Sequence, residues 1–389
     1  MDDKQKIAIV VVGYNRLDSI QRLLGSLLKA KYPETDIPLC ISIDASGCEE
    51  LYEYVRQFEW PFGEKYVNIQ QERLGLRNHI IKCGDLTQRF KGIILLEDDI
   101  YVSEYFYQYV LDVVDYYYDD ERIAGFSLYK NEVSNPYMLQ VTTMNDGSDC
   151  FLRQSVASWG QCWTDKQWKG FRQWYDNLED ESLNDVDMPL MVKSWKKAWS
   201  KFYIAYEIVN GKYFVFPNVS HTTCFSDAGE NNSENSNIGQ ANLLCGPKIY
   251  NFRPFEELVK YDNYGCNTGL YKWLGLSKEE VCLNINGNNL NVGKKRYMLS
   301  TYPLPYKVVK EYGLKMRPIE LNVKDNIPGT GLFLYDTTVK DCQRGAGPTV
   351  ARISYDLRGL SYRLLVKYLW FYFKNALRRK CKSFFKRKK

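Results

Sequence analysis

The stretch Gly92-Ile93-Ile94-Leu95-Leu96-Glu97-Asp98-Asp99-Ile100 decides the fold of this chain. Four consecutive apolar residues, Ile93 to Leu96, read as a strand buried on both faces of a parallel sheet. They end abruptly in three carboxylates that repel one another. Such a cluster has two readings. It can hold a hard divalent cation through oxygen ligands, with a phosphorylated substrate in the crevice outside the strand ends. It can also form a solvated turn that favours the positive end of the next helix. A lone Asp suits the second reading, and a Glu-Asp-Asp triplet on a buried strand suits the first.

Working outward, Ile7 to Val12 is another continuous apolar run, closed by the turn Gly13-Tyr14-Asn15-Arg16. Leu17, Ile20, Leu23, Leu24, Leu27 and Leu28 then follow helical spacing. Leu39 to Ile43 and Tyr66 to Gln70 read as strands, Cys48 to Phe58 and Leu76 to Phe90 as helices. This alternation predicts a doubly wound α/β sheet. Past Ile100 the pattern predicts a helix to about Tyr118, a strand at Ile123 to Leu128 and a helix from Thr164. One more helical pattern carries Trp195, Trp199, Phe202 and Tyr206, and Tyr213 to Pro217 is strand-like. Asp227 to Asn237 is a polar, turn-rich loop that would suit a lid, and 250–350 read as irregular α+β.

Composition narrows the chemistry. With only His79 and His221 in 389 residues, an all-histidine zinc site is excluded and carboxylates must carry any metal chemistry. The 31 Tyr and 9 Trp suit stacking on sugars or bases. Eleven cysteines, scattered singly with no Cys-x-x-Cys pair, and the start Met-Asp-Asp-Lys-Gln-Lys lead to the expectation of a reducing, cytoplasmic setting without a secretory leader.

Two other strand ends bear on ligand binding. Tyr14, Asn15 and Arg16 after the first strand, with Asp44 after the second, can frame a nucleotide base: a phenol stacks on uracil, and a carboxylate accepts its N3–H. Each also has a plain structural reading, Asn15 as a turn residue and Asp44 as a helix cap.

Taken in order, several pieces resemble the GT-A glycosyltransferases over roughly residues 5–235. They are Val10-Val11-Val12-Gly13-Tyr14-Asn15-Arg16, Ser42-Ile43-Asp44-Ala45-Ser46-Gly47, Leu74-Gly75-Leu76-Arg77 and Leu95-Leu96-Glu97-Asp98-Asp99-Ile100. Ser158-Trp159-Gly160 with Trp168, Trp195-x-x-x-Trp199 and Val215-Phe216-Pro217-Asn218-Val219 complete the set. The likeness is greatest to bacterial family-2-type sugar transferases and relatives of N-acetylglucosaminyltransferase I.

The resemblance implies a transfer of a sugar from a nucleotide-diphosphate donor, UDP foremost, that depends on Mn²⁺ or Mg²⁺. It implies Asp44 as the uracil-binding carboxylate and Glu97-Asp98-Asp99 as the DXD-type motif, with Asp99 reaching the metal and Asp98 the donor's sugar or ribose. Arg77 would approach the pyrophosphate, and Trp159-Gly160 would border donor sugar and acceptor. His221 matches a late histidine that some members use as a further ligand. The chain departs from the pattern at one point. Relatives place an Asp, the catalytic base, directly after the first Trp, where this sequence has Lys196. An ammonium cannot accept a proton, so Asp187 or Asp227, both in nearby loops, stand as candidate bases. Two rivals remain open: a sugar-nucleotide pyrophosphorylase, for which the single glycine of Val12-Gly13-Tyr14-Asn15 is a poor match, and a catalytically silent sugar-nucleotide-binding subunit.

Charge is divided unevenly. Residues 352–389 hold thirteen Lys or Arg and one acid, a net of +12, while 1–351 hold 39 basic and 46 acidic side chains, a net of −7. Around 360–378 a helical pattern sets Arg363, Lys367, Lys374 and Arg378 on one side, with Leu364, Leu365, Tyr368, Leu369, Tyr372, Phe373 and Ala376 elsewhere. That reads as an interfacial helix on an anionic membrane surface, with no nucleic-acid motif beside it. Packing of its apolar face on the body is the other reading. The expected organisation is a GT-A domain over 1–245, an accessory and possible acceptor-binding region over 246–350, and a basic membrane-associating tail over 351–389. The expected role is extension of a glycan or lipid-linked acceptor in surface polysaccharide synthesis, at the inner face of the membrane.

Overall fold

The computed structural model describes residues 3–134, 138–179, 183–230, 234–289, 291, 293–341, 349–359 and 361–386. Its centre is the strand read first, β4 (Gly92–Glu97), whose Ile93 to Leu96 are fully buried. On one side β4 pairs in parallel with β1 (Ile7–Gly13), which pairs with β2 (Leu39–Ile43) and then β3 (Lys65–Ile69). All four carboxyl ends therefore point the same way. The crossover helices α1 (Leu17–Lys29), α2 (Glu49–Gln57) and α3 (Gly75–Gly84) supply the apolar faces that cover this block. The expected helix over Leu76 to Phe90 stops at Gly84 and continues as a 3₁₀ turn, Asp85–Gln88. Gly84 is needed there, because a Cβ would lie 2.0 Å from the Trp168 ring.

On its other side β4 pairs antiparallel with β10 (Gln161–Thr164), and the sheet continues through β6 (Ile123–Ser127), β11 (Tyr213–Pro217) and β9 (Cys150–Arg153) to β13 (Lys260–Tyr261). The result is a nine-stranded mixed sheet flanked by helices, the layered α/β arrangement that the alternation of strands and helices predicts. Strand β13 lies past residue 245, so chain from the expected accessory region completes the sheet's edge.

Helix α5 (Asp165–Asp176) starts on a capping box: Thr164 Oγ1 accepts from Gln167 N at 3.3 Å, and Gln167 Oε1 accepts from Thr164 N at 3.0 Å. It delivers Trp168 and Phe171 to an aromatic core with Trp163, Trp199 and Tyr203. The Trp195–Trp199 helix is not continuous. A short α6 (Leu190–Ser194) ends before Trp195, which is extended, and α7 (Trp199–Val209) begins afterwards. The two indoles go to different places, Trp199 into the core and Trp195 toward a cavity, which one helix face could not serve.

The sequence missed a short strand, β5 (Ile100–Val102), between the acids and α4 (Phe106–Tyr117). It pairs with β12 (Thr222–Cys224), tying the acidic motif to the distant loop that follows. Residues 250–350 are less irregular than expected. They hold a four-stranded sheet in the order β14 (Val281–Asn284), β15 (Tyr297–Ser300), β17 (Leu332–Lys340), β16 (Tyr306–Tyr312), with its own apolar core around Leu270, Leu283, Leu299 and Leu334. A further short ribbon, β7 (Val133–Ser134) with β8 (Leu139–Gln140), flanks the main sheet. In the C-terminal helix over residues 362–386, the described apolar side chains stand away from the body: Leu364, Tyr368, Trp370, Phe371 and Phe373 are each more than half exposed. Side chains beyond Asn375, including the expected cluster from Arg378 onward, lie outside the described residues.

Candidate functional site

The carboxyl ends of β1, β2 and β4 open into a cleft of about 1250 Å³. Gly13, Tyr14, Asn15, Arg16, Asp44, Arg77, Glu97, Asp98, Asp99 and Trp159 all line it. Trp159 is held there by Gly160, whose φ of +106° suits glycine and whose Cβ would lie 2.8 Å from Thr222.

The floor is the acidic triplet. Glu97 is half-buried, and its Oε1 is buried with no hydrogen-bond partner among the described residues. Burial first, then the charges of Asp99 and Asp98, push its carboxyl up to about 8, so it is protonated at neutral pH. Arg16 forks onto Asp98 through Nη2 and through Nε at 3.1 Å, and donates to Asp99 Oδ2 at 3.3 Å and to the Asp227 carbonyl at 3.0 Å. Burial pushes Asp98 up to about 6 against the pull of Arg16, so it still carries the charge that the guanidinium neutralises. Arg16 was expected at the nucleotide; the structure makes it the internal counter-ion of the acids.

Asp44 is more deeply committed than either sequence reading allowed. Its Oδ1 accepts from Ala45 N at 2.9 Å and Leu74 N at 2.8 Å, and its Oδ2 from Gly75 N at 2.9 Å. It caps a helix, but the helix is α3, reached across the strand ends, rather than the α2 that follows it. Beside it Arg77 stacks over Phe202 at 5.0 Å and Arg73 over Tyr14 at 4.9 Å. The break between α6 and α7 brings Lys196 and Lys197 to the same wall. Sequence reasoning marked Lys196 as a missing base. With its neighbour Lys197 and the two arginines, Lys196 adds cationic side chains to the lining of the cleft that holds the acids. The pair of lysines was the available signal.

The candidate bases fare differently. Asp187 is not in the cleft: it accepts from the Tyr264 hydroxyl at 2.5 Å, and its backbone carbonyl from Asn263, in the accessory region. Asp227 is at the cleft, but Arg22 pairs with it and Ser19 donates to it at 2.7 Å. Burial alone would raise its carboxyl, yet Ser19, Arg22 and Arg16 outweigh that and hold it below the usual range. It is a poor proton acceptor. With the exposed pair Arg73–Glu230, the Arg22–Asp227 pair clasps the described part of the expected lid onto the first half of the domain; Asn231 to Ser233 lie outside the described residues. His221, the late histidine of the resemblance, is packed into the core. It is 1% exposed, stacked on Tyr109 at 4.2 Å, and burial drives it down to about 3.

Among the described residues no group of three or more His, Cys, Asp or Glu is arranged to hold a metal ion by itself. A hard divalent ion at such a site is ordinarily held by one or two carboxylates plus substrate phosphates, so a complete protein cage is not required. Asp99, engaged by one long bond to Arg16, has acceptor capacity to spare and fits that role; Glu97 Oε1 lies unpaired behind it.

No family model matches the chain, and no curated protein does. Solved structures similar to it include S. aureus TarS residues 1–349 in complex with UDP-GlcNAc (13% identity, TM-score 0.37, 58% of this chain and 60% of that one). They also include GalNAc-T7 with UDP, GalNAc and Mn²⁺ (15%, 0.40, 56% and 43%). A third is the mannosyltransferase PcManGT from Pyrobaculum calidifontis with GDP-Man and Mn²⁺ (11%, 0.34, 56% and 57%). The chain spans less than two thirds of each of these.

Proposed function

We propose that the chain is a glycosyltransferase that takes its sugar from a nucleotide-diphosphate donor, UDP-linked foremost, bound in the cleft at the ends of β1, β2 and β4. The observation that carries this is that one cleft is lined both by the acids Glu97-Asp98-Asp99 and by the cations Arg73, Arg77, Lys196 and Lys197. A diphosphate leaving group gains negative charge as the glycosidic bond breaks, and preorganised cations aimed at it lower the barrier. Arg77, Lys196 and Lys197 are the residues placed to do this. Asp99 would hold Mn²⁺ or Mg²⁺, which when bound neutralises the same charge. Tyr14 and the Asp44 turn border the nucleotide, and Trp159 the sugar.

The exposed aromatic residues between Tyr362 and Phe373 of the C-terminal helix support attachment to an anionic membrane surface. Among the described residues no helix is long and apolar enough to cross a membrane. A membrane-facing tail fits an acceptor that is lipid-linked, or a surface glycan made at the inner face. Liposomes of anionic lipid should retain the full chain and release one truncated after residue 361.

Turnover tests the main reading. Nucleotide release from UDP- and GDP-sugars with Mn²⁺ is measured for the full chain and for Asp99→Asn. Release that the substitution abolishes is the expected result; no binding of any nucleotide by the folded protein refutes the reading. The engagement of Asp187 by Tyr264 and Asn291 of the accessory region and the pairing of Asp227 favour one alternative, a silent sugar-nucleotide-binding subunit. Binding without release would select it.

A further inference from the structure

A second cavity, of about 720 Å³, lies between the main sheet and the accessory region. It meets the first at Ser158, Trp159, Trp195 and Ser200, which line both. A molecule in it therefore reaches the end of the cleft where a donor sugar would lie. Its volume is within the roughly 300–1,000 Å³ of small-molecule sites.

Its charges do not balance among themselves. Arg352 pairs with Asp356 at 2.6 Å and donates to the Ile285 carbonyl. Glu320 is buried, and its Oε1 accepts from the Tyr261 hydroxyl at 2.8 Å and from Asn267 at 3.1 Å. Arg153 and Arg317 have no ion pair among the described residues. Arg317 lies over the Tyr355 ring at 4.0 Å. Arg153, the last residue of β9, is the more telling, since its Nε is buried without an acceptor. The acids that approach it compensate poorly. Glu207 is fully buried with both carboxylate oxygens unpartnered, and burial drives it toward the neutral form. Asp262 spends Oδ1 on the amides of Tyr264 and Cys266. Beside Arg153, Gly265 at φ +74° keeps space open: a Cβ there would lie 3.3 Å from Arg153 Nη2 and from Asn286 Nδ2. A guanidinium whose Nε is buried without an acceptor, and which is short of counter-charge, is costly, and such an orphan calls for an explanation.

We infer that this cavity is the acceptor site and that it selects a sugar bearing an anionic substituent, carboxylate or phosphate, which Arg153 receives with Arg317 on the same wall. The inference rests on the glycosyltransferase reading for the word acceptor, but the anion selectivity is testable without turnover. Arg153 can present two N–H groups to a planar carboxylate or to a phosphate. Trp159 and Trp195 offer apolar faces to the sugar ring at the junction with the cleft.

The test is calorimetric titration of the full chain with three probes: a glucuronic acid disaccharide, its methyl ester, and glucose 1-phosphate. The wild-type protein should bind the acid, the phosphate or both at least about tenfold more tightly than the ester. Which of the two anions prevails identifies the source. Arg153→Met should abolish that preference and leave UDP binding with Mn²⁺ unchanged, because Arg153 does not line the cleft. Equal affinity of the wild type for acid, phosphate and ester overturns the inference, and this comparison needs no variant. Preference retained in folded Arg153→Met overturns it as well; if that variant does not fold, Arg317→Met is read in the same way. Loss of UDP binding by the wild type would sink the glycosyltransferase reading while leaving the anion comparison to stand or fall by itself.

Discussion

Replacing Arg16 by methionine removes the cation that holds the acidic floor together. In the folded protein Arg16 forks onto Asp98 and reaches Asp99, whose side chains are only 6% and 11% exposed. The variant leaves two poorly solvated carboxylates next to each other, above the protonated Glu97. Removing one partner of a buried ion pair costs about 3–5 kcal/mol. Arg16 is itself 23% exposed, so some of its interaction is screened, and a loss of about 3 kcal/mol is expected. The assay is urea unfolding in the presence of a chelator. Mn²⁺ is then titrated into both proteins. If the triplet is a cation site, the ion replaces the guanidinium, and the variant gains more stability than the wild type, where Arg16 competes for Asp99. Stabilisation follows the ratio of free ion to its dissociation constant, about 2.7 kcal/mol at a hundredfold excess. A loss in chelator under about 1 kcal/mol, the range of an exposed pair, would refute the reasoning. Equal stabilisation of both proteins by Mn²⁺ would refute it too.

Three further outcomes can be checked. Asp44→Ala strips three backbone N–H groups of their acceptor and should cost about 2 kcal/mol by denaturant midpoint, with Asp44→Asn losing less; no loss would mean the α3 cap is unimportant. Gly160→Ala forces a side chain into the φ +106° region and against Thr222, and should cost about 2 kcal/mol and weaken donor binding through Trp159; a change under about 0.5 kcal/mol contradicts the close approach. Burial lowers His79 from 6.5 to about 4 and His221 to about 3, so each contributes stability that is present above pH 6.5 and lost as pH falls toward the folded value. Unfolding at pH 7 and pH 4.5 should differ by about 2 kcal/mol per histidine, and His79→Gln should remove its share; an unchanged slope would show that His79 is not buried neutral.

The sheet's parallel half was legible because β1, β2 and β4 are uninterrupted apolar runs bounded by turns, a pattern that burial on both faces imposes. The acids were legible for the same reason, since charge ending such a run has nowhere to go but the strand end. What could not be read was pairing. Ile100–Val102 looks like the start of a helix until β12 arrives to make it a strand, and the partner lies over a hundred residues away. Trp195 and Trp199 keep helical spacing, yet tertiary contacts send them apart. The four-stranded accessory sheet hid because exposed Lys307, Lys310 and Glu311 break the alternation along β16. Asp44 shows a limit of another kind. Its type and place suggested a cap or a base contact, and only coordinates show that the amides of Leu74 and Gly75 already claim it.

The floor of the cleft also has a history along the chain. Strand β4 is seated between β1, drawn from the first thirteen residues, and β10, which begins only at Gln161. Arg16 closes on Asp98 across 82 positions and on the Asp227 carbonyl across 211. During synthesis, then, the triplet waits on an open edge until Thr164 has emerged, and its clasp waits longer still. Fragments ending before that point present a bare ladder to their neighbours, a sticky half-built sheet, so the ligand pocket is a late product of closure.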